Sequence, residues 1–374
     1  MESNGSLMSV LEITANLRSR SLPAAQKHLL SQIEQENLFP VAFAKSQIAD
    51  RKRLHFETLG RFDVLLISSF NNYDAVSGPI AGLPTQTLPH TDLPGLTPEQ
   101  EQAVLRDKLV ILTSNTVNRI GLEAFSQLAD RTPHTIYAVH DIDSHHWFQL
   151  GILLAGVADV YLPGHPDSFL LPSRINPHVV GGIPIGSTQW HRGFLEKKLN
   201  EVASVPRSDA PFGPHSFYPD FLYRNQLVTT FAPHSPEIRL QVTTETNDFL
   251  KKSAEDRWSE WASRKLHLIA PVSNDIPNRF FDALITGGLP LVPTGLRTHL
   301  VALGIPEDHF LPYSPTDIAD PPAFFERALR HFNSTGPNGC FQRARFTLEN
   351  FHAERILGKI AGAASALYLS RLHR

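Results

Sequence analysis

The chain has 374 residues, 41% apolar and 19% charged, which is enough apolar content for one or two sizeable cores and too much for wholesale disorder. Thirty-four basic against 37 acidic side chains leave a formal charge of −3, which argues against a broad nucleic-acid-binding face. The single cysteine, Cys340, excludes an internal disulfide and a cysteine-ligated zinc.

In chain order, residues 7–60 read as mainly helical, with a helix start at Ser21-Leu22-Pro23 and a second amphipathic piece over 47–59. Residues 63–69 are continuously apolar and β-branched, the pattern of a buried parallel strand. A Pro/Gly-rich loop over 71–96, carrying Asp74, His90 and Asp92, is long enough to bind an acceptor. Thr97-Pro98-Glu99 opens a helix. Strands at 109–113, 135–139, 159–162 and 179–183 then alternate with helices near 117–129, 145–156 and 166–172. Ser114-Asn115-Thr116 reads as a cap for the first of these helices. Residues 185–222 break the rhythm with several prolines. It resumes with a strand at 226–231, a helix at 236–251, a strand at 266–270, a helix at 277–286 and a strand at 289–292. A helix near 296–303, a strand at 309–311 and helices near 317–331, 338–349 and 352–371 complete the chain. Pro312–Asp317 reads as a pocket wall, with Ser314 or Thr316 capping the next helix.

Strands alternating with helices predict an α/β fold with parallel sheets. The expected division is an N-terminal α/β domain over 1–188, a linker over 189–214, a second α/β domain over 215–350, and a C-terminal helix over 351–374 that crosses back to the first. No run of 18 apolar residues and no basic, apolar leader stand in the sequence, so the expectation is a cytoplasmic protein with at most peripheral membrane contact.

The segment from Lys265 to Pro293 carries the most information. A buried strand is followed by a loop, a helix opened by Pro277, and Gly287-Gly288 before the next strand. Arg279, Asp282 and Thr286 share the face away from Phe280, Phe281, Leu284 and Ile285. This βαβ unit would place a helix N-terminus, an arginine and a carboxylate at the carboxyl edge of the sheet, where open α/β sheets bind ligands and phosphate is favoured. The plainer alternative is an ordinary βαβ unit with Arg279–Asp282 as an exposed ion pair, contributing roughly 0.3–0.5 kcal/mol. In the first domain, His140 follows a buried strand, with Asp141, Asp143, His145 and His146 close by. That pattern suits proton transfer near neutral pH, and also helix capping; a metal site is the weakest reading because adjacent histidines on a helix diverge.

Asn278–Pro293, NRFFDALITGGLPLVP, resembles the donor-site signature of glycosyltransferases with two Rossmann-like domains facing across a cleft, the GT-B class. The spacing from Asp282-Ala283-Leu284 to Gly287-Gly288-Leu289-Pro290-Leu291 is similar to exostosin-type enzymes and to α-1,3-fucosyltransferases. Arg224–Phe231 resembles the strand that opens an exostosin-type donor domain, and Ile136–Asp143 resembles the strand-then-His-Asp element of the first GT-B domain. The resemblance implies transfer of a sugar from a nucleotide-sugar donor, with UDP or GDP as nucleotide, to a hydroxyl of a glycan or lipid-linked glycan, without a metal or other cofactor. It implies that Arg279 grips the diphosphate and that Asp282 holds the ribose. Asn278, Ser273, Asn274 and Asp275 line the phosphate site and Arg224 joins them. His140, with Asp141 and Asp143, acts as base or steadies the sugar. Two rival functions stand beside it: a nucleotide-sugar epimerase on the same fold, and a catalytically silent GT-B-like binding or scaffold module.

Overall fold

Runs of consecutive apolar residues set the first sheet. Asp63–Ser68 (β1), Lys108–Thr113 (β3), Ile136–Asp141 (β4) and Val160–Pro163 (β5) are buried almost end to end, as parallel strands covered on both faces must be. Thr85–Pro89 (β2) completes the sheet, in the order β2-β1-β3-β4-β5 with every pairing parallel. β2 lies in the stretch read as a loop. Its Thr-Gln-Thr sequence suits a half-exposed edge and lacks the apolar run that marks the other four. These are the strands of a computed structural model that describes residues 27–370, apart from 32–34, 36–37, 70–72, 74–75, 77, 143, 145–147, 242–251 and 274.

The sheet core of Leu65, Ile67, Val110, Leu112, Tyr137, Val139 and Tyr161 is closed by Leu154 of helix Phe148–Val157 and Phe125 of helix Leu122–Arg131. The single helix expected over 117–129 is two helices, Ser114–Ile120 and Leu122–Arg131, divided at Gly121, whose φ of 91° only glycine adopts at low cost. Thr113 rather than Ser114 caps the first of them, accepting from the Thr116 N–H at 3.2 Å. The strand expected over 179–183 is reduced to one parallel bridge between Val179 and Tyr161. Helix Phe39–Leu59 begins earlier than expected and turns two lysines inward. Lys52 donates to the Thr135 carbonyl at 2.6 Å and pairs with Asp159 at 2.7 Å; Lys45 donates to the Val157 carbonyl at 2.8 Å, and burial lowers it to about 8. The Asp159 carboxylate also accepts from the Tyr137 N–H, so one buried acid ties a helix to two strands.

The second sheet contains Gly213–Ser216 (β6), Ile238–Gln241 (β7), Leu266–Leu268 (β8), Leu289–Pro293 (β9) and Leu311–Tyr313 (β10). β6 pairs with β7, and β8, β9 and β10 pair in sequence, all parallel. Phe212, just before β6, joins the two pieces: its N–H reaches the Leu266 carbonyl at 2.9 Å, and its own carbonyl accepts from Leu268 at 2.7 Å. The spatial order is therefore β7-β6-β8-β9-β10, the same 2-1-3-4-5 winding as the first sheet.

Several expectations change here. Residues 226–231 are not a strand but part of helix Leu222–Phe231, which buries Leu227, Val228 and Phe231 at helical spacing. The opening strand lies earlier, at β6, which begins in the last two residues of the supposed linker; the linker also holds helix Arg192–Leu199. The helix expected over 236–251 begins instead with β7; its remainder, 242–251, falls outside the described residues. The helices expected over 317–331 and 338–349 are a short helix, Pro315–Ala319, and a long one, Pro321–Asn350, kinked at Gly336 ahead of Pro337. Ser314 caps the short helix through a reciprocal bond with Asp317, as expected. The chain forms two compact units, one from Met1–Asn72, Gly78–Pro184 and Leu357–Arg374, the other from Tyr73–Ser77 and Ile185–Ile356.

Candidate functional site

A 2-1-3-4-5 sheet has one place where its first strand leads outward on one side and onward on the other; ligands bind there, beyond the carboxyl ends of the strands. In the second unit that place lies between β6 and β8. The two strands are bonded to each other only as far as Phe212 and Leu268 and then diverge. Alternation along a parallel strand turns the carbonyls of Pro214 and Ser216 toward the gap, and the N–H and carbonyl of Ala270 toward it from the other side. Buried backbone groups must find partners, and side chains supply them. Arg279 donates to the Pro214 carbonyl, and Arg224 donates to the Ser216 carbonyl at 2.6 Å and the Ala270 carbonyl at 3.0 Å. The Ala270 N–H donates to His215 Nε2 at 3.2 Å, while His215 Nδ1 donates to the Gly213 carbonyl at 2.8 Å.

Three side chains thus fill the gap between the strand ends, and two carry positive charge. Among the described residues the bonds of both guanidiniums run to carbonyl oxygens. Burial, then the neighbouring Arg279, lowers Arg224 to about 10; burial and both arginines hold His215 well below its usual range, so it is neutral. The Tyr218 ring lies over the Arg224 guanidinium, 4.7 Å from its centre. Two like charges held together at a strand-end crevice favour an anion that touches both.

The other residues expected at this site separate into groups. Asn278 and Arg279 form the first turn of helix Asn278–Ile285, beside the loop that follows β8. Ser273 is exposed on that loop with a φ of 46°, an unusual backbone state for a residue with a side chain. Asp275 is buried, and its carboxylate accepts from the Ile276 N–H at 2.9 Å. Asn274 lies outside the described residues. Asp282 is a correction. It shares no outer face with Arg279 and Thr286, because residues 280–285 are buried on every side. Its carboxylate accepts from Ser187 Oγ at 2.9 Å and Gln189 Nε2 at 2.7 Å, so it anchors residues 187–189 instead of presenting itself to a ribose. Burial raises it to about 7 despite those bonds.

Gly287-Gly288 are explained by packing. Gly287 has a φ of 78°, and a Cβ on Gly288 would stand 2.4 Å from the His267 ring. Two arginines cap this helix end: Arg207 donates to the Thr286 carbonyl at 2.8 Å, and Arg343 to the Gly287 carbonyl at 3.0 Å. Sequence reasoning missed His215. Gly-Pro-His-Ser carries no apolar run, and only its place before an aromatic cluster sets it apart.

In the first unit, His140 and Asp141 close β4 opposite Thr113 and Leu162–Pro163. Both are wholly buried. Successive strand residues point to opposite faces, so the Asp141 carboxylate does not sit with the imidazole; it accepts from the Tyr161 hydroxyl at 2.5 Å. His140 Nε2 donates to the Ile183 carbonyl at 2.8 Å. The expectation that His140 titrates near neutrality is corrected, since burial lowers it to about 4. Asp143, His145 and His146 lie outside the described residues. No family model matches the chain, and no curated protein matches it in sequence.

Proposed function

We propose that the protein is a glycosyltransferase of the GT-B kind, moving a sugar from a UDP- or GDP-sugar to a hydroxyl of a glycan or lipid-linked glycan. The observation that carries this reading is the pair of guanidiniums, Arg224 and Arg279, set at the carboxyl ends of β6 and β8 at the switch point of the second sheet. In the reaction the acceptor hydroxyl oxygen attacks the anomeric carbon and gives up its proton to water or to the departing diphosphate, the bond from that carbon to the diphosphate oxygen breaks, and the diphosphate takes that electron pair as added negative charge. Fixed guanidiniums stabilise that charge at no cost in reorganisation. The reading carries with it a pair of Rossmann-like domains arranged as in the GT-B class. Of the two roles expected of His140, steadying fits better than deprotonation, because an imidazole lowered to about 4 is a poor base.

Binding is tested by thermal shift with UDP, GDP, CMP and ADP. One of the first two is expected to stabilise the chain by about 2.7 kcal/mol at a hundredfold excess over Kd. No shift with any of the four overturns the reading. The guanidiniums also stand where other folds use a divalent ion, so transfer is expected to survive EDTA; activity lost in EDTA and restored by manganese reverses that part. A second reading, a nucleotide-binding module without turnover, draws on one observation: His140 and Asp141 are both engaged within their own unit. It is favoured if UDP or GDP binds and neither transfer nor epimerisation of the donor follows.

A further inference from the structure

The loop after β6 continues the crevice with a run of rings. Within Phe217–Tyr223, Phe217, Tyr218, Leu222 and Tyr223 are all exposed to solvent to a degree unusual for large apolar side chains. The loop is held in shape: Asn225, itself buried, accepts from the Tyr218 N–H at 3.3 Å and donates to the Tyr218 carbonyl at 2.6 Å. A side-chain amide that closes both backbone groups of one residue fixes where that residue's ring stands. The Tyr218 ring meets the Arg224 guanidinium at 4.7 Å and packs edge-to-face with Phe221, 6.2 Å between ring centres. A fixed aromatic ring beside two guanidiniums complements a ligand that is a planar ring at one end and a diphosphate at the other.

We propose that Tyr218 is the stacking platform for the base of a nucleoside diphosphate, so that the site takes nucleotides in preference to simple diphosphates. The inference rests on the reading of Arg224 and Arg279 as the diphosphate site and adds what selects the ligand. Base–aromatic stacking changes affinity by about ten- to a hundredfold when the ring is removed. It needs the ring but not the hydroxyl, since any aromatic face of similar size stacks.

The test is calorimetric titration of the full chain with UDP, GDP and inorganic pyrophosphate at one ionic strength. The parent is expected to bind UDP or GDP at least tenfold more tightly than pyrophosphate. Tyr218→Ala is expected to weaken that nucleotide about ten- to a hundredfold while pyrophosphate affinity stays the same, and Tyr218→Phe is expected to keep parent affinity for both. Unchanged pyrophosphate binding also certifies that the variants are folded. Equal binding of nucleotide and pyrophosphate by the parent overturns the proposal and leaves the diphosphate site standing. A parallel loss of both ligands in Tyr218→Ala overturns it as well, because Tyr218 would then act only by positioning Arg224. If pyrophosphate fails to bind the parent, the diphosphate site itself is refuted and the platform with it.

Discussion

Arg279→Ala is expected to weaken nucleoside-diphosphate binding by about ten- to a hundredfold, the equivalent of losing a charge-assisted hydrogen bond of roughly 1.5–3 kcal/mol. Arg279 is the better probe of the two crevice arginines. Arg224 bridges two backbone carbonyls and carries the Tyr218 ring, so its removal disturbs the walls of the crevice as well as its charge. Arg279 donates to the Pro214 carbonyl and stands in the first turn of a helix whose residues 280–285 are buried. Its loss leaves that one carbonyl without its partner, so a modest drop in stability of about 1–3 kcal/mol is expected with the fold kept. Arg279→Lys separates charge from shape: lysine restores a cation but not the planar fork, so recovery should be partial. Identical titration curves for parent and Arg279→Ala would remove the guanidinium from the site and leave it as a backbone anchor only.

What the sequence disclosed follows from how much each element depends on its own residues. β1, β3, β4 and β9 are covered on both faces, so their strings of apolar residues announce them. The βαβ unit through Arg279 was legible for the same reason, helped by Pro277 at the helix start and two glycines at its end. β6 was not legible. Four residues, Gly-Pro-His-Ser, form a strand because β7 pairs with their backbone and Phe212, just before them, is held against β8, and nothing in their side chains says so. The reverse error fell on Gln226–Phe231, where Val228, Thr229 and Thr230 favour a strand by propensity, while burial of Leu227, Val228 and Phe231 on one side makes a helix. The site divides along the same line. Arg279 could be placed from its position relative to a strand end. Asp282 could not, because spacing on a helix gives its angular position and not what covers that face. Its partners, Ser187 and Gln189, come from a segment about 95 residues away. His215 belongs to a strand that was not recognised, so its place in the gap was invisible.

The last expected result concerns acid. Each unit should lose stability as pH falls from about 6.5 toward 4, with net proton uptake on unfolding. In the first unit the group responsible is His140. It is neutral when folded, with a pKa near 4, and takes an ordinary value near 6.5 when unfolded, so between those pH values only the unfolded chain binds its proton. A depressed histidine contributes stability that is fully present above the unfolded pKa and is lost downward through the window, here about 3 kcal/mol over two and a half pH units. His178 shifts in the same direction and adds to it. In the second unit His267, lowered to about 3, and His215, held well below its usual range, behave alike, and burial shifts His309 and His352 in the same direction. Asp282 opposes them. Its folded value near 7 lies above the ordinary carboxylate value, so the folded unit binds a proton that the unfolded chain has released, which offsets part of that uptake. The second unit therefore still takes up protons on unfolding, but fewer than its histidines alone would bind. Replacing Asp282 with Asn keeps the acceptor for Ser187 but removes the titration, and should steepen the slope by about 1.4 kcal/mol per pH unit, the value of one proton. Denaturant titrations at half-unit steps from pH 7 to 4.5, on the parent and on Asp282→Asn, read both slopes. A flat profile, or the same slope in the two proteins, would mean that these groups reach water in the native state and that the buried histidines are not held neutral by the fold.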